Sequence, residues 1–196
     1  MNSRSIQLRS ITAVGLMSAA VFASNYIQFM IPTPFGPTRI HIANGICLLA
    51  ALLFGGVKGG TASGFGSFLY DLTFPAYVAT SWVTLIMKFL MAFLCGIITH
   101  GVKNESSEKF PPVWRRLTGI ISGAFSYVLM YIVKQFVEQC LFYGIAFKAV
   151  AVSVFTVNLP VSLLNAVLAV FISLILYSAL LPAIHKTGLA EKFGVK

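Results

Sequence analysis

Apolar stretches long enough to cross a lipid bilayer dominate the sequence. Hydrophobic residues make up 58% of the 196 residues, whereas Asp, Glu, Lys and Arg together make up 10%. A helix needs about 20 mostly apolar residues to span the hydrocarbon core, so the chain has room for about six spans and little else. The pattern predicts an all-α integral membrane protein in which residues 1–196 form a single domain, one bundle of six transmembrane helices.

The boundaries of the spans follow from the residues that interrupt the apolar runs. Pro32, Pro34 and Pro37 follow the first run, and three prolines within six residues cannot continue a helix. Segment 32–37 is therefore predicted to be an extended, ordered loop, and polar segment 103–116 separates the two halves of the chain. The predicted spans are residues 10–31, 40–54, 59–73, 81–101, 117–143 and 155–184.

Basic residues are distributed unevenly between the predicted loops. With the N-terminus inside the cell, ten of the fourteen Lys and Arg residues fall on cytoplasmic segments. The positive-inside rule then predicts that both termini are cytoplasmic and that the protein is a multi-pass protein of the cell membrane. The basic residues form no single patch, so the expected surroundings are the lipid bilayer and not nucleic acid. The ten residues are Arg4, Arg9, Lys58, Lys103, Lys109, Arg115, Arg116, Lys186, Lys192 and Lys196.

Several polar side chains lie in or beside the apolar runs. A charge in hydrocarbon costs about 2.5–3.5 kcal/mol on insertion scales, so such residues usually mark a substrate path or a binding site. In the predicted orientation they come from separate regions of the chain and all lie near the outer leaflet. We therefore expect a polar pocket that opens to the exterior. Its candidate residues are Arg39, His41, Asn44, Asp71, Trp82, Thr84, Lys88, Tyr131, Lys134, Gln135, Glu138 and Asn158.

The sequence leaves two roles open for some of these residues. Lys134 and Glu138 are four apart on one helix face, so they either neutralise each other or form a polar wall for a ligand. Lys88 has no acidic residue within one helical turn, and it either pairs with Asp71 across two spans or donates to a ligand. Trp82 suits an anchor at the membrane interface as well as it suits a platform for a ligand.

Residue groupings typical of catalysis or metal binding are missing from the sequence. The three histidines are dispersed, and no HExxH motif occurs. The three cysteines lie in apolar runs and have the spacing neither of metal ligands nor of a disulfide framework. The sequence therefore predicts neither an enzyme nor a metal site, and no cofactor.

The first predicted span carries small residues at helical spacing, namely Gly15, Ala19 and Ala23. A stripe of small residues allows another helix to approach closely. The spacing alone leaves open whether that helix belongs to this chain or to a partner.

Short segments across most of the chain carry the pattern of a known family. They are RIHIANG at 39–45, the glycine pair 55–56, GFGSFLYD at 64–71, TLIMK at 84–88, Tyr131 and NLP at 158–160. These segments resemble the substrate-binding S component of energy-coupling factor (ECF) vitamin transporters. The similarity is to the riboflavin-type branch, which also contains proteins assigned to pyridoxine or hydroxymethylpyrimidine.

The resemblance implies six helices, an external pocket roofed by segment 32–37, and no energy source in this chain. It also implies that Gly15, Ala19 and Ala23 dock onto a separate ECF transmembrane coupling subunit. That subunit would bind two cytoplasmic ATPase subunits, which use ATP. An acidic residue is common in the family where Asn44 stands, so a charge-based ligand contact is not carried over to this position.

The main hypothesis is a subunit that captures a small ring-containing vitamin or vitamin precursor from outside the cell. Pyridoxine or hydroxymethylpyrimidine is preferred to riboflavin, because the candidate aromatic residues are few for a three-ring flavin. Two alternatives stay open, a stand-alone transporter or channel and a structural or regulatory membrane subunit. Transport by the chain alone in sealed vesicles would favour the first, and the absence of any bound small molecule would favour the second.

Overall fold

The computed structural model describes residues 3–33, 35, 37–101 and 111–187, and most of these residues are helical. Two strands form a small antiparallel sheet between the first two helices. A 3₁₀ turn, Val78–Thr80, precedes α3, and π-helical turns at Val137–Phe142 and Val154–Asn158 follow α4 and α5. The other elements are α1 Ser3–Ser24, β1 Gln28–Ile31, β2 Thr38–His41, α2 Ala43–Thr73, α3 Ser81–His100, α4 Val113–Phe136, α5 Phe147–Ser153 and α6 Leu159–Thr187.

Among the described residues, four helical stretches are long and apolar enough to cross a membrane. They are Ala43–Thr73, Val78–His100, Val113–Phe142 and Phe147–Ala183, and a shorter apolar helix covers Leu8–Ser24. The prediction of a predominantly helical, multi-pass membrane protein is therefore confirmed. The helices start earlier than predicted in the second half of the chain, at Val113 and at Phe147.

Helix α2 reverses its direction at Gly55. This residue has φ 78° and ψ −174°, a backbone conformation that glycine adopts readily because it has no Cβ. Ser63 Oγ donates to the Cys47 carbonyl oxygen at 3.2 Å, although sixteen residues of straight helix would separate them by about 24 Å. The segments on either side of Gly55 therefore pack against each other in opposite directions. They correspond to the predicted spans 40–54 and 59–73.

The prediction that the first helical span extends to residue 31 was wrong. Helix α1 ends at Ser24, and Gln28–Ile31 is a strand that pairs with Thr38–His41, with Gln28 opposite His41. Strand β2 also takes the first residues of predicted span 40–54, whose helix begins at Ala43. The loop predicted at 32–37 connects the two strands, and residues 34 and 36 lie outside the described part. Hydrogen bonds between the strands satisfy backbone groups that a helix interrupted by three prolines would leave unpaired.

The hydrophobic core lies around α2, which packs against α1, α3 and α6, while α4 packs on α3 and α6. Its buried side chains include Val21, Leu48, Met91, Ile120 and Ala169. The β-hairpin sits at one end of this bundle. The basic residues predicted for loop 103–116 lie partly outside the described residues, as do those of the C-terminal tail.

Candidate functional site

A cavity of about 400 Å³ lies beside the β-hairpin, and α2, α3, α4 and α6 complete its wall. This volume falls within the range of about 300–1,000 Å³ that is usual for small-molecule sites. The structure brings eight of the twelve predicted site residues to its wall. These eight are Arg39, His41, Asp71, Thr84, Tyr131, Lys134, Gln135 and Glu138.

Arg39 is held in the wall by a carboxylate and two aromatic rings. Its Nη2 donates to Asp71 Oδ1 at 2.9 Å, and the Asp71 side chain is 1% exposed. The guanidinium carbon lies 5.1 Å from the ring centre of Tyr70 and 4.3 Å from that of Tyr77, which is cation–π distance. Nη1 also faces Gln28 Oε1 at 3.5 Å. Asp71 is thus the partner of Arg39 and not of Lys88.

Lys88 lies behind the cavity wall and is fully buried. Its Nζ donates to Asn44 Oδ1 and lies 4.5 Å from the ring centre of Tyr127, which itself lines the cavity. Neither Lys88 nor Asn44 lines the cavity. The structure also places Asn158 outside the lining, buried in the second π-helical turn, and leaves Trp82 60% exposed on α3.

Lys134 and Glu138 combine the two roles that the sequence left open. Their charged groups are 2.9 Å apart, and both side chains are 19% exposed. Both residues also line the cavity. The pair therefore neutralises itself and forms part of the polar wall.

Aromatic side chains form much of the remaining wall. The rings of Tyr127 and Tyr131 are stacked, with centroids 6.4 Å apart and an angle of 20° between their planes. The Tyr131 hydroxyl lies 3.1 Å from Thr38 Oγ1 and accepts a hydrogen bond from Gln135 Nε2 at 3.3 Å. Burial raises the pKa of Tyr77, which keeps its hydroxyl protonated as a hydrogen-bond donor. The aromatic residues of the lining are Phe35, Tyr77, Tyr127, Tyr131 and Tyr143.

Three side chains from outside the hairpin hold it against the cavity. Asn165 on α6 accepts from the His41 backbone N–H at 3.0 Å and donates to the Arg39 carbonyl at 2.7 Å. Gln139 Nε2 donates to the Phe35 carbonyl at 3.0 Å, and the Tyr77 hydroxyl donates to the Pro37 carbonyl at 3.3 Å.

The predicted site residues did not include these three side chains, nor Thr38 or Ser162, which also line the cavity. Asn165 and Gln139 carried a usable signal, because an amide within an apolar helix needs a polar partner. Tyr77 and Thr38 carried none, since Tyr77 lies in a short connecting segment, Thr38 begins β2, and the sequence does not specify the neighbours of either.

His41 lines the cavity and has a buried ring nitrogen without a hydrogen-bond partner among the described residues. Its side chain is buried, and this nitrogen is Nδ1. Burial and the positive charges of Lys88 and Arg39 hold the pKa of His41 well below its ordinary value. The imidazole is therefore neutral. No group of three potential metal ligands occurs among the described residues.

The small-residue stripe of α1 faces outward. Gly15, Ala19 and Ala23 are all exposed, and a Cβ at Gly15 would meet nothing within 4 Å. The stripe is therefore not used for close packing within the described part of this chain.

Comparisons with known proteins agree with this architecture. Residues 5–181 match the model of a family described as "ECF-type riboflavin transporter, S component". A solved structure described as "Structure and mechanism of the S component of a bacterial ECF transporter" matches with a TM-score of 0.61 and 21% identity, covering 91% of this chain and 98% of that one. No curated protein matches the chain.

At 21% identity the structural match supports the fold, whereas the family model covers nearly the whole chain. The resemblance that the sequence motifs indicated is thereby confirmed. The chain belongs to the family of ECF-type riboflavin transporter S components.

Proposed function

We propose that this chain is the substrate-capture subunit of an ECF-type importer, and that it binds a ring-containing, water-soluble vitamin in the 400 Å³ cavity. The observation that carries the proposal is the cavity itself, which places stacked tyrosines and hydrogen-bonding groups at one end of an otherwise apolar bundle. Tyrosine rings offer faces for stacking a flat heterocycle. The amide of Gln135 offers a partner for its polar edge.

Riboflavin is the first candidate ligand, with pyridoxine and hydroxymethylpyrimidine as alternatives. The preference for a one-ring ligand rested on a shortage of aromatic candidates in the sequence. Five aromatic side chains of the described residues line the cavity, so that reason no longer applies. The family's description also names riboflavin.

The proposal includes six membrane-crossing segments with both termini in the cytoplasm. The reversal at Gly55 supports two crossings within α2. Three connections that would then be external, around Phe35, Tyr77 and Tyr143, all contribute to the same cavity. The basic residues concentrated on the opposite connections support the same orientation.

The energy for uptake would come from partners. The exposed Gly15, Ala19 and Ala23 stripe supports docking of α1 against an ECF transmembrane coupling subunit. That subunit would connect the chain to two ATPase subunits. The chain by itself is then neither an enzyme nor a transporter, but a membrane-embedded binding protein.

The first experiment is to purify the protein in detergent, denature it, and identify released small molecules by mass spectrometry. We expect a stoichiometric vitamin. A matched pair of variants locates the site. Thr84→Phe fills the cavity and should lose the compound, whereas Thr118→Phe, on an exposed face of α4, should retain it.

Other outcomes would favour the alternative functions. An empty preparation that shows no thermal shift with a panel of vitamins would contradict the proposal and favour a structural membrane subunit. Uptake by the chain alone in sealed vesicles, without ATPase subunits, would favour a stand-alone transporter.

A further inference from the structure

We infer that the start of α4 binds the phosphate headgroup of an anionic phospholipid, in the leaflet on the far side of the membrane from the cavity. The site consists of Arg115 and Arg116, with Trp114 beside them. It is separate from the cavity and does not depend on which ligand the cavity holds. In the orientation proposed above, this leaflet is the cytoplasmic one.

The two arginines lie about one bilayer thickness from the cavity. Lys134 and Gln135, near the other end of α4, line the cavity. At about 1.5 Å per residue, Arg116 and Lys134 are about 27 Å apart along the helix axis. The hydrocarbon core of a bilayer is about 30 Å thick. The arginines therefore lie at the opposite membrane surface, at the depth of the lipid headgroups.

Arg116 is held in the cleft between α4 and α6. Its guanidinium carbon lies 5.0 Å from the ring centre of Tyr177, which is cation–π distance, and Tyr177 is buried. The Nε of Arg116 is enclosed, and it has no hydrogen-bond partner within the described residues. Arg115 contacts α3, where its Nε donates to the Ile98 carbonyl oxygen at 3.4 Å. An arginine has five N–H donors, so both side chains keep donors for an anion.

The charges of these arginines are not balanced by any carboxylate in the described part of the chain. Its acidic residues are Asp71 and Glu138, and both form ion pairs at the cavity. Cations at the first turn are also unfavourable for α4 itself, because the positive end of the helix dipole lies there. The positive-inside rule accounts for basic residues on this side of the membrane, but it does not require a guanidinium packed between two helices.

A lipid headgroup supplies what this surface lacks. A phosphate accepts charge-assisted, bidentate hydrogen bonds from arginine, and basic pockets between transmembrane helices bind anionic headgroups. Val113 and Trp114 are 60% and 66% exposed beside the arginines, so apolar surface for an acyl chain adjoins the charges. A soluble phosphate would leave that apolar surface unused. The competing occupant is segment 102–110, which precedes α4 in the sequence and contains Glu105 and Glu108.

The test titrates the purified protein, in zwitterionic detergent, with phosphatidylglycerol or phosphatidylcholine, and measures bound lipid by native mass spectrometry. We expect phosphatidylglycerol to bind about 25-fold more tightly, because each arginine near an anionic headgroup contributes about fivefold. Arg115→Gln and Arg116→Gln should each reduce this preference about fivefold. Arg116→Lys keeps the charge and should retain more of the preference than Arg116→Gln.

Arg9→Gln is the matched control, since it removes an exposed positive charge from α1 on the same side of the membrane in the proposed orientation. It should leave the preference unchanged. Cooperative thermal unfolding in zwitterionic detergent alone reports that each variant is folded.

Equal affinities of the wild-type protein for the two lipids would overturn the inference, as would an unchanged preference in both Arg→Gln variants of α4 or an equal loss in Arg9→Gln. A preference that emerges only after Glu105→Gln and Glu108→Gln would assign the arginines to segment 102–110 and reject the lipid. Glycerol 3-phosphate provides the last arm. If it raises the unfolding midpoint as much as phosphatidylglycerol does, the occupant is a soluble phosphate and the inference is wrong.

Discussion

At the cavity, most polar side chains are already satisfied by other groups of the protein. Arg39 and Asp71 satisfy each other, Lys134 pairs with Glu138, and Asn165 is committed to the backbone of β2. The imidazole of His41 differs, because its Nδ1 is buried without a partner in the described structure. A neutral histidine held in this way makes the stability of the fold depend on pH.

The His41 contribution to stability should be lost as the pH falls. The folded protein holds the pKa of His41 well below its ordinary value, whereas the unfolded chain titrates near pH about 6.5. Below that pH the unfolded state binds the proton and the folded state does not, so acid favours unfolding. The stabilisation is therefore fully present above pH about 6.5 and declines below it.

Thermal unfolding of the detergent-solubilised protein, followed from about pH 7.5 down to about pH 5, checks this expectation. The unfolding midpoint should fall more steeply with pH in the wild-type protein than in His41→Gln, which cannot titrate. Parallel curves for the two proteins would show that His41 is not the responsible group.

Among the secondary-structure elements, the fold depends on close packing at the reversal of α2. Gly96 of α3 lies directly against the backbone of Gly55 and Gly56, where an added Cβ would overlap main-chain atoms. Backbone cannot move aside as the end of a flexible side chain can. The sequence shows glycines near position 55. It does not show that position 96 also needs a glycine, because that need arises only where α3 packs against the reversal of α2.

Gly96→Ala should therefore destabilise the protein by about 1–3 kcal/mol, the usual cost of overpacking a tight contact. The control is Gly15→Ala, since a Cβ there meets nothing within 4 Å. That control should leave stability unchanged or raise it slightly, because alanine favours helix more than glycine does. The measurement is the midpoint of thermal unfolding in detergent. Equal midpoints for the two variants would contradict the packing argument.

For the molecule as a whole, the proposed ligand site and the proposed docking surface lie on different parts of the structure. The cavity lies beside the hairpin, whereas the small-residue stripe runs along the exposed face of α1. A change in the stripe should therefore affect docking and leave the cavity intact. This separation makes the proposed partnership testable without disturbing the ligand site.

Ala19→Leu should reduce co-purification with the ECF coupling subunit by about tenfold or more, because a larger side chain prevents close helix approach. Vitamin binding by the isolated chain should stay at the wild-type level. Val152→Leu enlarges another exposed side chain, on α5, and should leave assembly unchanged. Normal assembly of Ala19→Leu would show that the stripe is not the docking surface.

The amino-acid sequence is sufficient to predict a helical membrane protein, most helix positions, the family, and eight of the residues that line the cavity. Long apolar runs and isolated charges within them are local properties, so they are readable without knowing which helices are neighbours. The pairing of Lys134 with Glu138 was readable for the same reason, because both residues lie on one helix.

Partners between distant parts of the chain depended on the packing of the helices. The run at 28–31 is too short to distinguish strand from helix, and its pairing with β2 fixed it as a strand. The sequence suggested Lys88 as a partner for Asp71, but the position of the hairpin places Arg39 against Asp71 and leaves Lys88 behind the wall. Asn165 contacts the hairpin although it lies 124 residues after His41 and 126 residues after Arg39 in the sequence. Such contacts arise from the arrangement of whole elements, and no local pattern of residues encodes them.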